Sequence, residues 1–364
     1  MSKIHNFSAG PAILPQSAID ASVEALQNFA GTGLSLIEVS HRSKEYEAVV
    51  AEATQLVKDI LQLGDDYAVI FLQGGASLQF DMIPMNWLGE GETAVYTNTG
   101  VWASRAVKEA KIFGNVNVIA SSEDTNFNYI PKDFTIPADA KYFHCTSNNT
   151  IYGTEMFSFP NTNGVPLICD MSSDIFSRPF DAKQFDMIYA GAQKNMGPAG
   201  TTLVILKKSF LEKRVTKKLP TMLDYSVHIE NGSMYNTPSV FAIFVCMHTL
   251  RWIKSIGLEA MEVRNKGKAD LLYAEIDRNS LFEGTVAVED RSRMNVNFVL
   301  TNKEYEAEFL KFCENKNLSG LKGHRSVGGL RASLYNALEI DSVQALVDAM
   351  KEFEGIKSNV QVNG

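Results

Sequence analysis

The stretch Ala190-Gly191-Ala192-Gln193-Lys194-Asn195-Met196-Gly197-Pro198-Ala199-Gly200 separates two apolar runs, Met187 to Ala190 and Thr202 to Leu206. Both runs have the length and the β-branched or aromatic residues of strands. The connection between them is too short for a parallel crossover, which needs a dozen or more residues, so we predict antiparallel neighbours. Lys194 is therefore expected in a tight turn at the end of a buried sheet.

A lysine at such a position has two interpretations. A free lysine amine has a pKa of about 10.4 and is a poor nucleophile at neutral pH. When it is partly desolvated, the amine can form a Schiff base with an aldehyde cofactor. A solvated lysine in a hairpin is the commoner case, so the choice between the two interpretations depends on the residues around Lys194.

Composition limits the classes of protein to consider. The 364 residues exceed the usual size of one domain, and 45% hydrophobic with 21% charged residues is typical of a globular protein. A net charge of −8 argues against a nucleic-acid partner and against a basic membrane-surface protein. An anionic substrate would need a local cluster of arginine and histidine.

The cysteines and the apolar runs indicate a compartment. Four cysteines occur without C-x-x-C or zinc-ligand spacing, so we expect no metal site and a reducing, cytoplasmic location. We see no signal-peptide pattern, and no apolar run approaches the roughly 18 residues of a membrane span.

Short apolar strands alternate with helices through the first two thirds of the chain. This pattern predicts an α/β fold whose seven-stranded sheet is mostly parallel and covered on both faces. Ligands in such sheets bind beyond the carboxyl ends of the strands. The predicted strands are 69–73, 93–97, 116–120, 141–145, 165–169, 187–190 and 202–206.

The chain is predicted to form an N-terminal arm (1–15), a large domain (16–257) and a smaller α+β domain (258–364). Between the hairpin and the small domain we predict a basic helix over 207–218 and a loop over 223–236. Thr237 and Pro238 are then expected as the N-cap and the first helical residue of an apolar helix, Ser239 to Ile256.

Four polar or aromatic groups fall at predicted strand ends, and each has an ordinary structural interpretation. Asp170 is either a turn residue or a carboxylate that keeps a pyridine nitrogen protonated. Gly75-Ala76-Ser77 is either a plain helix start or a phosphate cradle. Trp102 is either core or a platform for a planar ring. Asn148-Asn149-Thr150 is either a polar loop or a set of donors. With Lys194, the group matches the needs of pyridoxal phosphate.

At this point the whole chain resembles the phosphoserine aminotransferases, a family in the class V group of fold-type I pyridoxal-phosphate enzymes. The motifs that carry the resemblance are specific in combination. They are Asn6-Phe7-Ser8-Ala9-Gly10-Pro11-Ala12, Ser40-His41-Arg42-Ser43, Gly74-Gly75-Ala76, Thr99-Gly100-Val101-Trp102, Ser147-Asn148-Asn149-Thr150-Ile151, Ala192-Gln193-Lys194-Asn195, Asn236-Thr237-Pro238 and Gly328-Gly329-Leu330-Arg331-Ala332-Ser333.

The resemblance implies a role for each matching residue. Lys194 would form the Schiff base with pyridoxal 5'-phosphate, one per subunit, and Asp170 would pair with the pyridine nitrogen. Other cofactor contacts would come from Ala76, Ser77, Trp102, Thr150 and Gln193, with Asn236 and Thr237 reaching in from a second subunit of a homodimer. The substrates' acidic groups would be bound by His41, Arg42, His324, Arg325 and Arg331.

The implied reaction is reversible amino transfer from L-glutamate to 3-phosphohydroxypyruvate, giving O-phospho-L-serine and 2-oxoglutarate for serine biosynthesis. The same resemblance implies a second substrate, 4-phosphohydroxythreonine, which is used in vitamin B6 synthesis. Two departures from the family pattern stand out. Ser77 replaces an arginine that many members use for the substrate phosphate, and Ala9 stands where some members have serine.

Rival functions remain open. Another class V enzyme, such as a serine-glyoxylate aminotransferase or a cysteine desulfurase, would share the fold, but a desulfurase needs a cysteine on a mobile loop. A nicotinamide dehydrogenase needs G-x-G-x-x-G after a strand, which Gly31-Thr32-Gly33 does not provide. A non-catalytic binding module would have no use for a buried lysine opposite an aspartate.

Overall fold

The structure is a computed structural model that describes residues 3–325 and 327–363. Its strands are β1 (His5–Asn6), β2 (Tyr67–Leu72), β3 (Thr93–Asn98), β4 (Asn115–Ser121), β5 (Phe143–Thr146), β6 (Asn148–Asn149), β7 (Thr154–Glu155), β8 (Leu167–Asp170), β9 (Met187–Gly191), β10 (Thr202–Lys207), β11 (Phe282–Gly284), β12 (Asn295–Leu300), β13 (Leu318–Ser319) and β14 (Leu330–Ser333).

The α-helices lie between these strands and on both faces of the large sheet. They are α1 (Gln16–Gln27), α2 (Lys44–Leu61), α3 (Gly75–Trp87), α4 (Val101–Ala110), α5 (Lys208–Leu211), α6 (Tyr225–Glu230), α7 (Val240–Ile256), α8 (Leu258–Arg278), α9 (Glu306–Asn315) and α10 (Ile340–Asn363).

The large sheet has seven strands in the order β2-β10-β9-β8-β5-β3-β4. Only β10 runs antiparallel to its neighbours, β2 on one side and β9 on the other. The other pairs are parallel. The predictions of a mostly parallel seven-stranded sheet and of an antiparallel pair around Lys194 are confirmed.

Alternate residues along each central strand point to opposite faces of this sheet. In β2, Val69 and Phe71 join a core formed with α1, α2 and α7, whereas Ile70 and Leu72 join a second core formed with α3, α4 and α6. Because both faces are covered, the strands are apolar throughout, and the polar ends of the strands become the accessible part of the sheet.

The C-terminal part has its own core around a three-stranded antiparallel sheet, β11-β12-β14, packed against α8, α9 and α10. Phe7 of the N-terminal arm belongs to this core, since β1 pairs with β13 and the Phe7 carbonyl accepts the Ser333 amide at 3.1 Å. The α+β character of the C-terminal part agrees with the sequence. The exact domain limits after residues 15 and 257 stay a prediction.

Three local predictions in the 207–240 region are wrong. The helix predicted over 207–218 is only four residues long, α5 (Lys208–Leu211). The Val215 amide donates to the Asn86 carbonyl at 2.7 Å instead of to a helical acceptor, because the chain there packs against α3. The loop predicted over 223–236 contains helix α6, and the Asp224 side chain caps this helix by accepting the Ser226 amide. Helix α7 (Val240–Ile256) lies where it was predicted, but its N-cap is Ser239 rather than Thr237, whose carbonyl accepts from the Gln73 side chain at 2.8 Å.

Within the described residues, no single helix combines the length and the hydropathy needed to cross a membrane. Helices α7 and α8 meet the test only as a pair, and they are bent by 91° where they join.

Candidate active site

The loop between β9 and β10 is held in a fixed shape against helix α7. The Ala192 amide donates to the Thr201 carbonyl at 3.1 Å, and the Gly197 amide donates to the Ala192 carbonyl at 2.8 Å. A Cβ atom on Gly197 would collide with the Cys246 sulfur of α7, so only glycine allows this packing. The loop therefore sets the position of Lys194 at the end of the sheet.

Lys194 reaches into a site shared by several strand ends. Its Nζ donates to Thr150 Oγ1 at 2.7 Å and lies 6.0 Å from the centroid of the Trp102 ring. Burial lowers the pKa of Lys194 to about 8, with the charge of Asp170 opposing this shift and the charge of Arg331 adding to it. A larger neutral fraction near neutral pH gives the amine the nucleophilic character that a solvated lysine lacks.

Asp170 ends the central strand β8 and is buried. The Ser172 hydroxyl and amide both donate to Asp170 Oδ1, at 2.6 and 2.9 Å. Burial raises the pKa of Asp170, against the charge of Lys194 and hydrogen bonds from Ser172 and Tyr189. The carboxylate is thus fixed in orientation and is in a place where a cationic partner would keep it ionised.

Ser172 and Tyr189 were missed by the sequence analysis. Ser172 also accepts the Gly191 amide at 3.0 Å, so it joins the ends of β8 and β9. Tyr189 contacts His144 through a 2.9 Å hydrogen bond to Nε2, and burial lowers the pKa of His144 to about 3, which keeps that ring neutral. The aspartate-x-serine spacing is a turn signal that could have identified Ser172.

The Asn148-Asn149-Thr150 segment divides into structural and site residues. Asn148 donates to Ser173 Oγ and Asn295 Oδ1 at 2.8 and 2.7 Å, and Asn149 donates to Thr154 Oγ1 at 2.9 Å. Both asparagines are therefore used in fixing the β6–β7 hairpin. Thr150 is the member of the segment that faces Lys194.

Trp102 lies in the first turn of α4, with its indole Nε1 buried and without a hydrogen-bond partner among the described residues. An unpartnered buried donor of this kind is rare and is typical of a site that receives a ligand. The Arg105 guanidinium lies over the same ring, with its Cζ 4.8 Å from the centroid. Arg105 was missed, although it stands three residues after Trp102 on the same helix face.

The predicted phosphate cradle is the N-terminus of α3. Gly74 precedes the helix with φ 92°, a left-handed conformation that glycine allows, and Gly75 begins it. Ala76 and Ser77 lie in the first turn, whose amides have no helical acceptor. Gln193 directly precedes Lys194 in the loop after β9, and its carbonyl accepts the Ala12 amide at 3.0 Å.

Arg331 lies on β14 and spans the two parts of the molecule. Its Nη1 donates to the Thr150 carbonyl at 3.3 Å, and its Nε is buried without a partner in the described part of the chain. Burial lowers the pKa of Arg331. His324 has its pKa lowered by burial and by the charges of Arg331, Arg325 and Arg105, so these groups form one positive cluster.

Four predicted site residues lie apart from this group in the chain. Among the described residues, His41, Arg42, Asn236 and Thr237 make no hydrogen bond, ion pair or ring contact with Lys194, Asp170 or Trp102. His41 Nε2 is buried and has no hydrogen-bond partner among the residues that the structure describes, and Arg42 is exposed just before the Ser43 cap of α2. Asn236 and Thr237 lie beside Gln73, which precedes the α3 cradle.

Comparison with known sequences places these observations in a family. The chain belongs to the aminotransferase class-V family, whose sequence model matches residues 4–346. Within that family it resembles the phosphoserine aminotransferase of Flavobacterium psychrophilum, with 57% identity over 354 residues that cover 97% of this chain and 99% of the relative. The phosphoserine aminotransferase of Bacteroides fragilis is 56% identical over 355 residues, with the same coverage.

Solved structures agree with these relatives. The phosphoserine aminotransferase from Bacillus circulans subsp. alkalophilus is 47% identical and superposes with a TM-score of 0.95, covering 98% of this chain and 99% of that one. The pyridoxal-phosphate-bound phosphoserine aminotransferase from Trichomonas vaginalis is 39% identical, with a TM-score of 0.91, covering 96% of this chain and all of the other.

Proposed function

We propose that this chain is a pyridoxal-phosphate-dependent phosphoserine aminotransferase. It moves an amino group reversibly from L-glutamate to 3-phosphohydroxypyruvate, giving O-phospho-L-serine and 2-oxoglutarate. The observation that carries the proposal is the Lys194 amine, which has a depressed pKa and faces the Trp102 ring near the buried carboxylate of Asp170. The substrates are inferred from phosphoserine aminotransferases that are 57% and 56% identical to this chain over 97% of its length.

The residues present fit pyridoxal phosphate. The buried Trp102 Nε1 and Arg331 Nε lack partners in the described residues, as expected where ligands bind. Lys194 would hold the aldehyde carbon, Asp170 the pyridine nitrogen, Trp102 the ring face and Thr150 the ring hydroxyl. Ala76, Ser77 and Gln193 would hold the phosphate. When bound, the cofactor supplies an aldehyde and an electron-accepting ring.

The protein's own contribution is to position groups and to move a proton. The free amine of Lys194 would take up and return the proton of the substrate α-carbon, while the bound cofactor would supply the electron-accepting ring. The lowered pKa of Lys194 suits this role because the free amine can both accept and return a proton near neutral pH. Asp170 keeps the pyridine nitrogen protonated.

The direct test is an assay with 3-phosphohydroxypyruvate and glutamate, following 2-oxoglutarate. Serine with glyoxylate, and cysteine alone, serve as the substrates of the rival class V activities. The four cysteines are buried free thiols, which disfavours a desulfurase with an exposed cysteine. Turnover with only a rival substrate would overturn the proposal. We include 4-phosphohydroxythreonine in the assay as a second proposed substrate.

Arg331 is the proposed partner of the carboxylate that both substrates carry next to the reacting carbon. A guanidinium can bind that carboxylate through two parallel hydrogen bonds, and lysine cannot reproduce this fork. We expect Arg331→Lys to raise KM for glutamate and for phosphoserine alike, by roughly 10-fold or more. Half-reaction kinetics measure both values, and a loss confined to one substrate would contradict the assignment.

We propose that the active unit is a homodimer in which Asn236 and Thr237 complete the partner's cofactor site. Within one protomer they lie outside the Lys194 group, although they adjoin the segment before the cradle. An exposed apolar row on α1 and the following loop supports such an interface; its members are Ile19, Val23, Leu26, Leu34 and Ile37. A monomer carrying this row would expose an unusual apolar patch.

Mixing two inactive variants tests shared sites. Asn236→Asp puts a carboxylate beside the cofactor phosphate and is expected to remove most activity by charge repulsion. The Asn236→Asp and Lys194→Ala variants are denatured together in equal amounts and refolded, so that half of the dimers are hybrids. In each hybrid, one site combines an intact Lys194 with an intact Asn236, and the other site carries both substitutions. We expect about a quarter of wild-type activity to return, because a two-fold interface pairs the sites reciprocally. If each protomer held a complete site, mixing would restore nothing.

A cytoplasmic location is also proposed. All four cysteines are unpaired, and the sulfurs of Cys145 and Cys169 lie 3.7 Å apart without a bond. Free thiols at that separation are typical of a reducing compartment.

A further inference from the structure

The first turn of helix α3 carries Ala76 and Ser77 and has no side-chain charge. The phosphorylated substrate ends in a phosphate, whose charge needs a cation near this point. The inference below rests on the proposed function and identifies which residue of this chain supplies that charge.

Helices α3 and α4 carry equivalent positions side by side. Each follows a strand of the same direction in the large sheet, so the two helices run parallel and pack together. Burial raises the pKa of Asp81 on α3, and the nearby negative charge of Glu109 on α4 raises it further. The two helices therefore meet at the level of residues 81 and 109.

One helical turn earlier, the corresponding positions are Ser77 on α3 and Arg105 on α4. Residues four apart lie on the same face of a helix, so Arg105 and Ser77 stand opposite each other as Glu109 and Asp81 do. This level is also nearer the helix N-termini, where the phosphate cradle and Trp102 lie.

Arg105 is suitably placed and has a charge available for a ligand. Its guanidinium lies over the Trp102 ring, the same ring that the Lys194 amine faces. Its charge contributes with Arg331 and Arg325 to lowering the pKa of His324, so it belongs to the positive cluster at the site. Within the part of the chain that the structure describes, Arg105 forms no ion pair with a carboxylate.

We propose that Arg105 binds the phosphate at the far end of the phosphorylated substrate, from across the groove between α3 and α4. Stacking on Trp102 holds the guanidinium plane, so less side-chain freedom is lost when a phosphate binds its fork. The positive charge that Ser77 does not supply on one helix is thus supplied by the neighbouring helix. Arg105 is a binding residue that determines specificity and takes no part in proton transfer.

The test compares the two amino donors on the holoenzyme. Each half-reaction is followed by the absorbance change of the bound cofactor as phosphoserine or glutamate is titrated. We expect Arg105→Ala to raise the half-saturating phosphoserine concentration roughly 10- to 100-fold, the scale of one charge-assisted hydrogen bond. For glutamate we expect less than about a 3-fold change. Lys111→Ala, which removes an exposed cation at the far end of α4, is the matched control.

A second variant moves the charge back to the other helix. We expect Ser77→Arg combined with Arg105→Ala to recover most of the lost phosphoserine affinity, while Arg105→Gln, which keeps a planar side chain without charge, recovers little. Rising ionic strength should weaken phosphoserine binding in the wild type more than in Arg105→Ala.

Two results would overturn the inference. Equal losses for both donors in Arg105→Ala would show that Arg105 acts on the Trp102 ring or on the fold rather than on the phosphate. Unchanged phosphoserine binding would show that another group holds the phosphate. Failure of the proposed function looks different, because wild-type holoenzyme would then give no absorbance change with phosphoserine at all.

Discussion

Lys194→Ala is expected to lose nearly all transamination while keeping its fold. The variant has no amine to hold the cofactor's aldehyde carbon or to move the proton at the substrate α-carbon, so we expect the turnover number to fall by roughly 10⁴-fold. Borohydride treatment followed by mass spectrometry should find cofactor fixed to the wild-type chain only. The free energy of unfolding should not fall, because the amine removed has a pKa depressed by burial.

Lys208→Ala is the control for this variant. Lys208 is an exposed lysine that follows strand β10, outside the site, so its loss should leave both turnover and cofactor fixation unchanged. Lys194→Ala protein that still fixes cofactor with borohydride and turns over substrate would mean that another lysine holds the cofactor.

The second large effect is expected for Asp170→Asn. An amide has the shape of the carboxylate but no charge, so it cannot keep the pyridine nitrogen protonated. We expect turnover to fall by roughly 10²- to 10³-fold, the usual scale for one preorganised electrostatic contact. Cofactor labelled with ¹⁵N at the ring nitrogen gives a direct measurement, because its NMR shift separates the protonated from the unprotonated form.

Asp290→Asn distinguishes this loss from general destabilisation. Asp290 is equally buried, accepts the Ile130 amide at 2.9 Å and pairs with Lys132, but it lies outside the site. We expect it to lower the free energy of unfolding without changing the ¹⁵N shift. Unchanged turnover in Asp170→Asn would show that Asp170 is only a turn residue bound to Ser172.

The sequence predicted the large sheet well because its strands carry a strong local pattern. Runs such as 187–190 and 202–206 are apolar on both faces, and the short loop between them allows only antiparallel pairing. The strand ends then pointed to Lys194, Asp170, Trp102 and Thr150 as neighbours, which the structure brings together.

Other features depend on contacts that no local pattern records. The start of α7 at Val240 depends on Gln73, which lies far away in sequence and binds the Thr237 carbonyl. Tyr189 looks like an ordinary core strand residue until β8 and β9 pair and its hydroxyl meets Asp170. The spacing of Arg105 from Trp102 is visible in the sequence, but its position beside α3 depends on the packing of α3 against α4, which the helix patterns do not predict.

The docking of the N-terminal arm has a consequence for the order in which the protein can be assembled during synthesis. The arm pairs with β13, contributes Phe7 to the C-terminal core, and joins Ala9 and Ala12 to Tyr335 and Gln193. The arm therefore cannot dock until β13 and Tyr335, which lie far later in the chain, have been synthesised. At roughly 5–20 residues per second, the large sheet has time to form while the arm is still undocked. The lysine loop thus gains its contact with the docked arm only after β13 has been synthesised, so a nascent chain stalled before β13 carries Lys194, Asp170 and Trp102 but has neither the docked arm nor Arg331.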